Sequence, residues 1–271
     1  MKRIIKKFLF LRRIKDGLLA TKYFNIKYFQ IFKWLFKSRE DTNYTYDLTD
    51  QNLNELYKLF ESIFEVDYDE IKSYSEELLN NTEIKKYLKN KIQSSQFKNF
   101  ADSEIKFCRR IGWYIVTRII KPKLIIETGV DKGMGSVILS EAIIKNKQDG
   151  YEGEYYGTDI NPKAGYLFDD IYSKNGKIIY GDSVESLKKI DKQIDLFIND
   201  SDHSAIYEAN EYKTIIKKLS KNSVILGDNS HSTDELLNFS IQQNRNFVLF
   251  RERPLNHWYP GAGIGISFKK K

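Results

Sequence analysis

The sequence predicts an α/β fold, a mostly parallel sheet covered by helices, and three observations carry that prediction. From Lys123 onward, short apolar runs alternate with helix-length stretches, as parallel strands joined by crossover helices require. Several of those runs end in carboxylates or glycines, the residues expected where a parallel sheet meets a ligand. The last two runs, Phe247 to Glu252 and Ile264 to Phe268, are joined by a Pro/Gly loop without a helix, so they are expected to pair antiparallel at the sheet edge.

The elements follow in order. Residues 41–49 read as a loop or short extended piece, and from Asp50 the pattern is helical: Leu53, Leu56, Leu59, Phe60 and Ile63 recur at helical spacing, a helix follows over 68–92, and Ser103 is placed to cap a helix running to Ile120 before Pro122. Strands are then expected at Leu124, Glu154 to Thr158, Lys177 to Tyr180, Ile194 to Ile198 and Val224. Between them lie helices at Val137 to Lys147, Ala164 to Ser173, Val184 to Lys189, Tyr207 to Leu219 and Thr233 to Asn244. Three regions result: a basic aromatic arm (1–40), a helical accessory region (41–120) and the sheet-containing region (121–271).

The net charge of +7 is uneven. Residues 1–40 hold 12 Lys/Arg against 2 Asp/Glu, a net of +10; the remainder holds 32 against 35, a net of −3. A basic surface covering the whole molecule is therefore absent, and nucleic acid is not an expected partner. The arm's apolar runs are too short and too broken by charge to span a bilayer, and no small-residue cleavage site follows them. Its mixture of Tyr, Phe and Trp34 with lysines suits either an interfacial helix on an anionic membrane or a helix packed on the body or on a second subunit. A single cysteine, Cys108, fits a reducing compartment and a buried structural thiol.

The strand ends carry the chemistry. After the first strand stands Glu127-Thr-Gly129-Val-Asp-Lys-Gly133, whose glycines let the backbone turn tightly beside a ligand. The second strand ends at Asp159, suited to ribose hydroxyls; the third ends at Gly181-Asp182-Ser183, suited to a purine or to capping the next helix. The fourth delivers Asn199-Asp200-Ser-Asp202-His203 and the fifth Asp228-Asn229-Ser-His231. Asp and Asn oxygens suit a hard divalent cation, and a neighbouring imidazole suits a proton acceptor. Asp200, Asp202 and Asp228 are also placed to cap helices.

As an ordered set, over about residues 100–271, these motifs resemble class I S-adenosylmethionine-dependent methyltransferases. The resemblance implies a Rossmann-like sheet with an antiparallel C-terminal strand pair. It places Glu127, Gly129 and Gly133 near the amino-acid part of the cofactor, Asp159 at the ribose, Asp182 and Ser183 at the adenine, and Asp200 at the cofactor's reacting end. Among these enzymes the motifs are most similar to the metal-dependent macrolide-sugar O-methyltransferases. In those terms Asp200, Asp228 and Asn229 would hold Mg²⁺ or another divalent cation and His203 would be the base; the catechol type carries lysine at the position of His203. His231, His257, Trp258 and Tyr259 are the candidate acceptor contacts. The acceptor is expected to be a sugar hydroxyl of a polysaccharide, glycolipid or glycosylated metabolite. The expected setting is the cytoplasm, with peripheral contact of residues 1–40 at the inner membrane face, and a homo-oligomer is compatible. Two rivals remain: a hydroxylase using His203, His231 and Asp200 on iron, and a membrane-attached nucleoside-binding protein without turnover.

Overall fold

The computed structural model describes residues 13–14, 28–40, 44–102, 104–228 and 230–269. Most of the basic arm, the Ser103 cap and Asn229 therefore lie outside the described residues.

The chain opens on helix α1 (Tyr28–Lys37) and the short strand β1 (Asp47–Leu48), then lays down helices α2 (Asp50–Phe64), α3 (Tyr68–Leu79) and α4 (Thr82–Ser94). The continuous helix predicted over 68–92 is in fact two. Asn80 and Asn81 divide it, because the Asn81 side chain accepts from the amides of Glu83 and Ile84 and so starts a new helix. Helix α5 (Arg110–Ile120) begins later than predicted from Ser103. The backbone before it is bent at Cys108, whose φ is +52°; the Cys108 amide donates to the Tyr46 carbonyl and the Tyr46 amide donates to the Cys108 Sγ.

The remaining elements alternate: β2 (Leu124–Thr128), α6 (Met134–Gln148), β3 (Glu154–Asp159), β4 (Gly176–Tyr180), α7 (Ser183–Lys188), β5 (Ile194–Asn199), α8 (Ala205–Ile215), β6 (Leu219–Gly227), α9 (Glu235–Gln242), β7 (Arg245–Phe250), β8 (Pro254–Leu255) and β9 (Ile264–Lys269). The helix predicted from Ala164 to Ser173 is absent; turns and one 3₁₀ turn (Tyr172–Asn175) stand there. The amides of Gly165 and Leu167 donate to the carbonyls of Asp131 and Lys132, so this segment is bound to the β2–α6 loop and not to itself. Gly165 and Asp170 also take positive φ, which interrupts helical geometry.

Seven strands form one sheet in the order β4-β3-β2-β5-β6-β9-β7. The first five are parallel; β9 pairs antiparallel with both β6 and β7, as the helix-free C-terminal connection requires. The sheet is Rossmann-like, and its central strands are covered on both faces: every residue of β2 is buried.

The helical region packs directly on this sheet. One buried cluster runs from Tyr46 and Leu56 through Trp113 and Ile138 to Ile266. Helix α5 is central to it, buried along nearly its whole length. Gly112 permits the close approach, since a Cβ there would lie 2.6 Å from Ile264 and 3.8 Å from Leu56. Arg118 then ties three helices together, donating to Glu77 of α3 and to Asn146 and Asp149 at the end of α6. The small sheet β1–β8 joins the beginning of the chain to its end, pairing Asp47 with Leu255 and Leu48 with Pro254. Leu56 is fully buried where α2 meets α5. We expect Leu56→Ala to lower unfolding free energy by ~2–5 kcal/mol, read from urea midpoints; a loss below about 1 kcal/mol would show that the helical region is not integral to the core.

Candidate active site

The parallel strands all deliver their carboxyl ends to one edge, where a cavity of about 750 Å³ opens. Its walls include Gly129, Asp131, Thr158 and Asp159 on one side and Gly181, Asp182 and Ser183 on another. Arg109, Asp200, His203 and Asp228 form the far end. Five strand ends thus converge on one space, as open α/β sheets place ligands.

Gly129 is required by the approach of two loops. Its φ is +81°, and a Cβ would lie 2.0 Å from the Asp200 carbonyl oxygen. Gly133 (φ +94°) starts α6 and lies against the Gly165 backbone, a packing role away from the cavity. Asp159 accepts from the amides of Asp131 (2.9 Å) and Asn161 (2.8 Å), which fix its carboxylate at the wall with lone pairs still available. Asp182 caps α7 through the Glu185 amide and accepts from the Tyr207 hydroxyl. Those bonds hold its carboxyl below the usual aspartate range. The capping and cavity-wall roles coexist.

Glu127 behaves differently from expectation. It is buried and turns beneath the first turn of α6, accepting from the Tyr155 and Ser136 hydroxyls. Burial pushes its carboxyl up to about 8, although those hydrogen bonds and Arg110 oppose the shift. It supports the glycine loop from below and does not line the cavity.

The carboxyl group that gathers the strand ends beside Asp182 and Ser183 is Glu211 of α8, which the sequence reading passed over. It accepts from Thr128 (3.1 Å) and Ser201 (2.8 Å), and also from Asn199 and Ser183. These donors come from the ends of β2 and β5, the loop after β5 and the start of α7. A Glu in the middle of an amphipathic helix reads as solvated, and only the sheet topology brings four polar strand ends onto it. Burial raises its carboxyl to about 7.

At the far end, Asp200 and Asp228 come together on a second residue that sequence reasoning missed. Arg109 donates from Nη2 to Asp228 at 2.8 Å, its Nε also contacts Asp228, and Asp200 lies 3.9 Å away. Burial pushes the Asp200 carboxyl up while Arg109 and Arg110 pull it down. The adjacent arginines 108 residues into the chain were a signal: two successive cations before a buried helix cannot both reach solvent. Arg110 is itself buried, and its Nε and Nη1 have no hydrogen-bond partner among the described residues.

His203 is exposed and lines the cavity beside Asp200. Asp202 accepts from the Ser204 amide (2.7 Å) at the entry to α8, a capping role. His231 is exposed, with Nδ1 3.3 Å from the Asp228 carbonyl; partial desolvation, helped by Arg109, lowers its pKa below the usual histidine value. His257, Trp258 and Tyr259 do not line the cavity. Trp258 packs its ring against Trp34, Tyr44 and Tyr259, and His257 stacks on Trp258. They form an aromatic joint between α1 and the C-terminal loop, not an open platform.

The divalent-cation expectation meets a specific obstacle. The Arg109 guanidinium already pairs with Asp228 and lies 3.9 Å from Asp200, and Asn229 is outside the described residues. Among the described residues no group of three or more His, Cys, Asp or Glu side chains is placed to hold a metal ion. The residues present do not fit a metal in this arrangement.

Comparison with known proteins agrees with the cavity. Residues 126–230 match a family model described as a methyltransferase domain. No curated protein matches the chain. Its fold is similar to that of SAH-bound methyltransferase PaMTH1 from Podospora anserina, at 20% identity and TM-score 0.51, covering 75% of this chain and 95% of that one. A methyltransferase from Geobacter sulfurreducens is similar at 17% identity and TM-score 0.53 (76% and 99% covered). An O-methyltransferase from Bacillus cereus in complex with SAH is similar at 13% identity and TM-score 0.51 (74% and 100%). At these identities the likeness is one of fold.

Glu211 gives the site a pH signature. Its folded pKa of about 7 lies above the ordinary 4.5, so the unfolded chain releases this proton first as pH rises. The stability it contributes is full below 4.5 and is lost as pH climbs through about 7. Glu127 adds a loss of the same sign, extending to about 8. We expect Glu211→Gln to flatten the decline by on the order of a few kcal/mol, measured as urea midpoints in pH steps; an unchanged slope would refute the assignment.

Proposed function

We propose that this chain is an S-adenosylmethionine-dependent O-methyltransferase acting on a sugar hydroxyl of a polysaccharide, glycolipid or glycosylated metabolite. The observation that carries the reading is the convergence of Gly129, Asp159, Asp182 and Ser183 on one cavity whose other end holds His203. When bound, the cofactor supplies an electrophilic methyl group on a sulfonium.

Asp159 is fixed by two amides, leaving acceptor capacity for two ribose hydroxyls. Asp182 and Ser183 stand where the adenine edge would lie. At the far end His203 would take the proton of an acceptor hydroxyl whose oxygen receives the methyl group that the bound cofactor would supply. Holding oxygen, methyl and sulfur in line supplies part of the acceleration. The sugar assignment rests on histidine standing where the catechol-type motif has lysine. The hydroxylase alternative is not carried forward, because His203, His231 and Asp200 form no metal-holding group.

Metal assistance is not part of this reading, because Arg109 already occupies Asp228. We expect titration with Mn²⁺, followed by electron spin resonance, to show no saturable site in the wild type and a gained site in Arg109→Ala. Stoichiometric binding by the wild type would restore the metal-assisted version.

Calorimetric titration with S-adenosylmethionine tests the cofactor. Asp159→Ala should weaken binding roughly 10–100-fold, the worth of hydrogen bonds to a charged group. His203→Ala should keep binding and lower kcat on a sugar acceptor with a free hydroxyl ~10²–10⁴-fold. Folded wild-type protein that binds neither the cofactor nor its demethylated product would end the proposal.

A further inference from the structure

Helix α1 is built inside out for a helix that faces only water. Its inner side is anchored: the Trp34 indole donates to Glu40 at 3.2 Å and meets the ring of Trp258 at 5.2 Å. Immediately after the helix, Ser38 and the Arg39 amide both donate to Asp102 at 2.8 Å, fixing its direction. None of the helix's own residues is buried.

At 100° per residue, Tyr28, Phe29, Phe32, Leu35 and Phe36 fall within one sector of about 120°. All five point away from the body, with exposures between 61% and 79%. Phe32 and Phe36 also stack on each other at 4.9 Å, so the patch is continuous. Lys33 and Lys37 occupy the adjoining sector and are exposed. Trp34 lies opposite, toward the anchor. Aromatic, basic and anchoring sectors therefore follow one another round the helix, and only the anchoring sector is in contact with the body.

We infer that α1 is an interfacial helix that seats this protein on an anionic lipid surface, its aromatic face among the acyl chains and its lysines at the headgroups. Charge chooses the occupant. Residues 1–40 carry a net +10, whereas the rest of the chain carries −3, so the attraction to anionic lipid is concentrated where the rings are exposed. A second copy docked through the same face would bring two arms of +10 together, which opposes self-association. Among the described residues no helix is long and apolar enough to cross a membrane, in keeping with a surface attachment. The inference does not depend on the methyltransferase reading.

Sedimentation of the full chain with phosphatidylcholine vesicles, with and without phosphatidylserine, tests it. Binding should require the anionic lipid and should fall between roughly 0.1 M and 1 M salt, as the screening length shrinks from about 10 Å to about 3 Å. The variant Phe29→Ser/Phe32→Ser/Phe36→Ser alters only exposed rings. It should keep the wild-type melting temperature and lose at least roughly tenfold in vesicle affinity, because the buried apolar area is gone. Lys33→Glu/Lys37→Glu should reduce the preference for phosphatidylserine. A wild type that stays in the supernatant with anionic vesicles at low salt overturns the inference. So does equal binding by the serine variant, or a dimer in sedimentation velocity that the serine substitutions dissolve.

Discussion

The contact on which the site depends is the buried guanidinium of Arg109 between Asp228 and Asp200. It stands at the entry to α5, yet its partners terminate β6 and β5, so one side chain joins the helical region to the reactive edge of the sheet. Removing a charge from water is costly unless it is paired, and removing either partner afterwards leaves the other stranded. That asymmetry makes the arrangement hard to loosen in part. It also sets the electrostatics of the cavity's far end, where Arg109 opposes the burial-driven rise of Asp200 and lowers His231.

The opposite end of the cavity is organised on a different plan. Glu211 gathers four neutral donors instead of one cation. Beneath the glycine loop, Glu127 gathers two hydroxyls. Both carboxyls lie under the cavity floor, and their bonds hold the ends of β2 and β5 and the first turns of α6 and α7 in mutual register. Asp159 and Asp182 face the cavity from that floor and are themselves held by backbone amides. The polar groups that would meet a ligand are thus positioned before it arrives, which reduces the ordering that binding must impose.

The legible part of this molecule was its backbone periodicity. Apolar runs ending in Asp159, Gly181-Asp182 and Asp200 announce strand ends because the sheet leaves those positions no alternative use, and the antiparallel placement of β9 followed from a helix-free connection. Less legible were features decided by tertiary partners. Ala164 to Ser173 has helical composition, but the amides of Gly165 and Leu167 are taken by the carbonyls of Asp131 and Lys132. Glu127 reads as a strand-end ligand and is turned inward by Tyr155, a residue 28 positions away. Arg109 is aimed by a left-handed turn at Cys108, which no local pattern marks. Trp258 looked like a stacking platform because the sequence does not reveal that Trp34 and Tyr44 already cover it.

The joint between β1 and the loop after β7 forms only after most of the chain has been made. Tyr46 donates its hydroxyl to Glu252, Asp47 pairs with Leu255, and Asn52 bonds Arg251 and Arg253. Each of these partners is about two hundred residues downstream. On the ribosome, the segment around β1 therefore waits for nearly the entire sheet to be synthesised before its contacts exist. Closure of so long a loop is a late and slow event. The nascent chain holds its aromatic leading segment uncovered throughout that interval, the condition under which chaperones engage unfinished proteins.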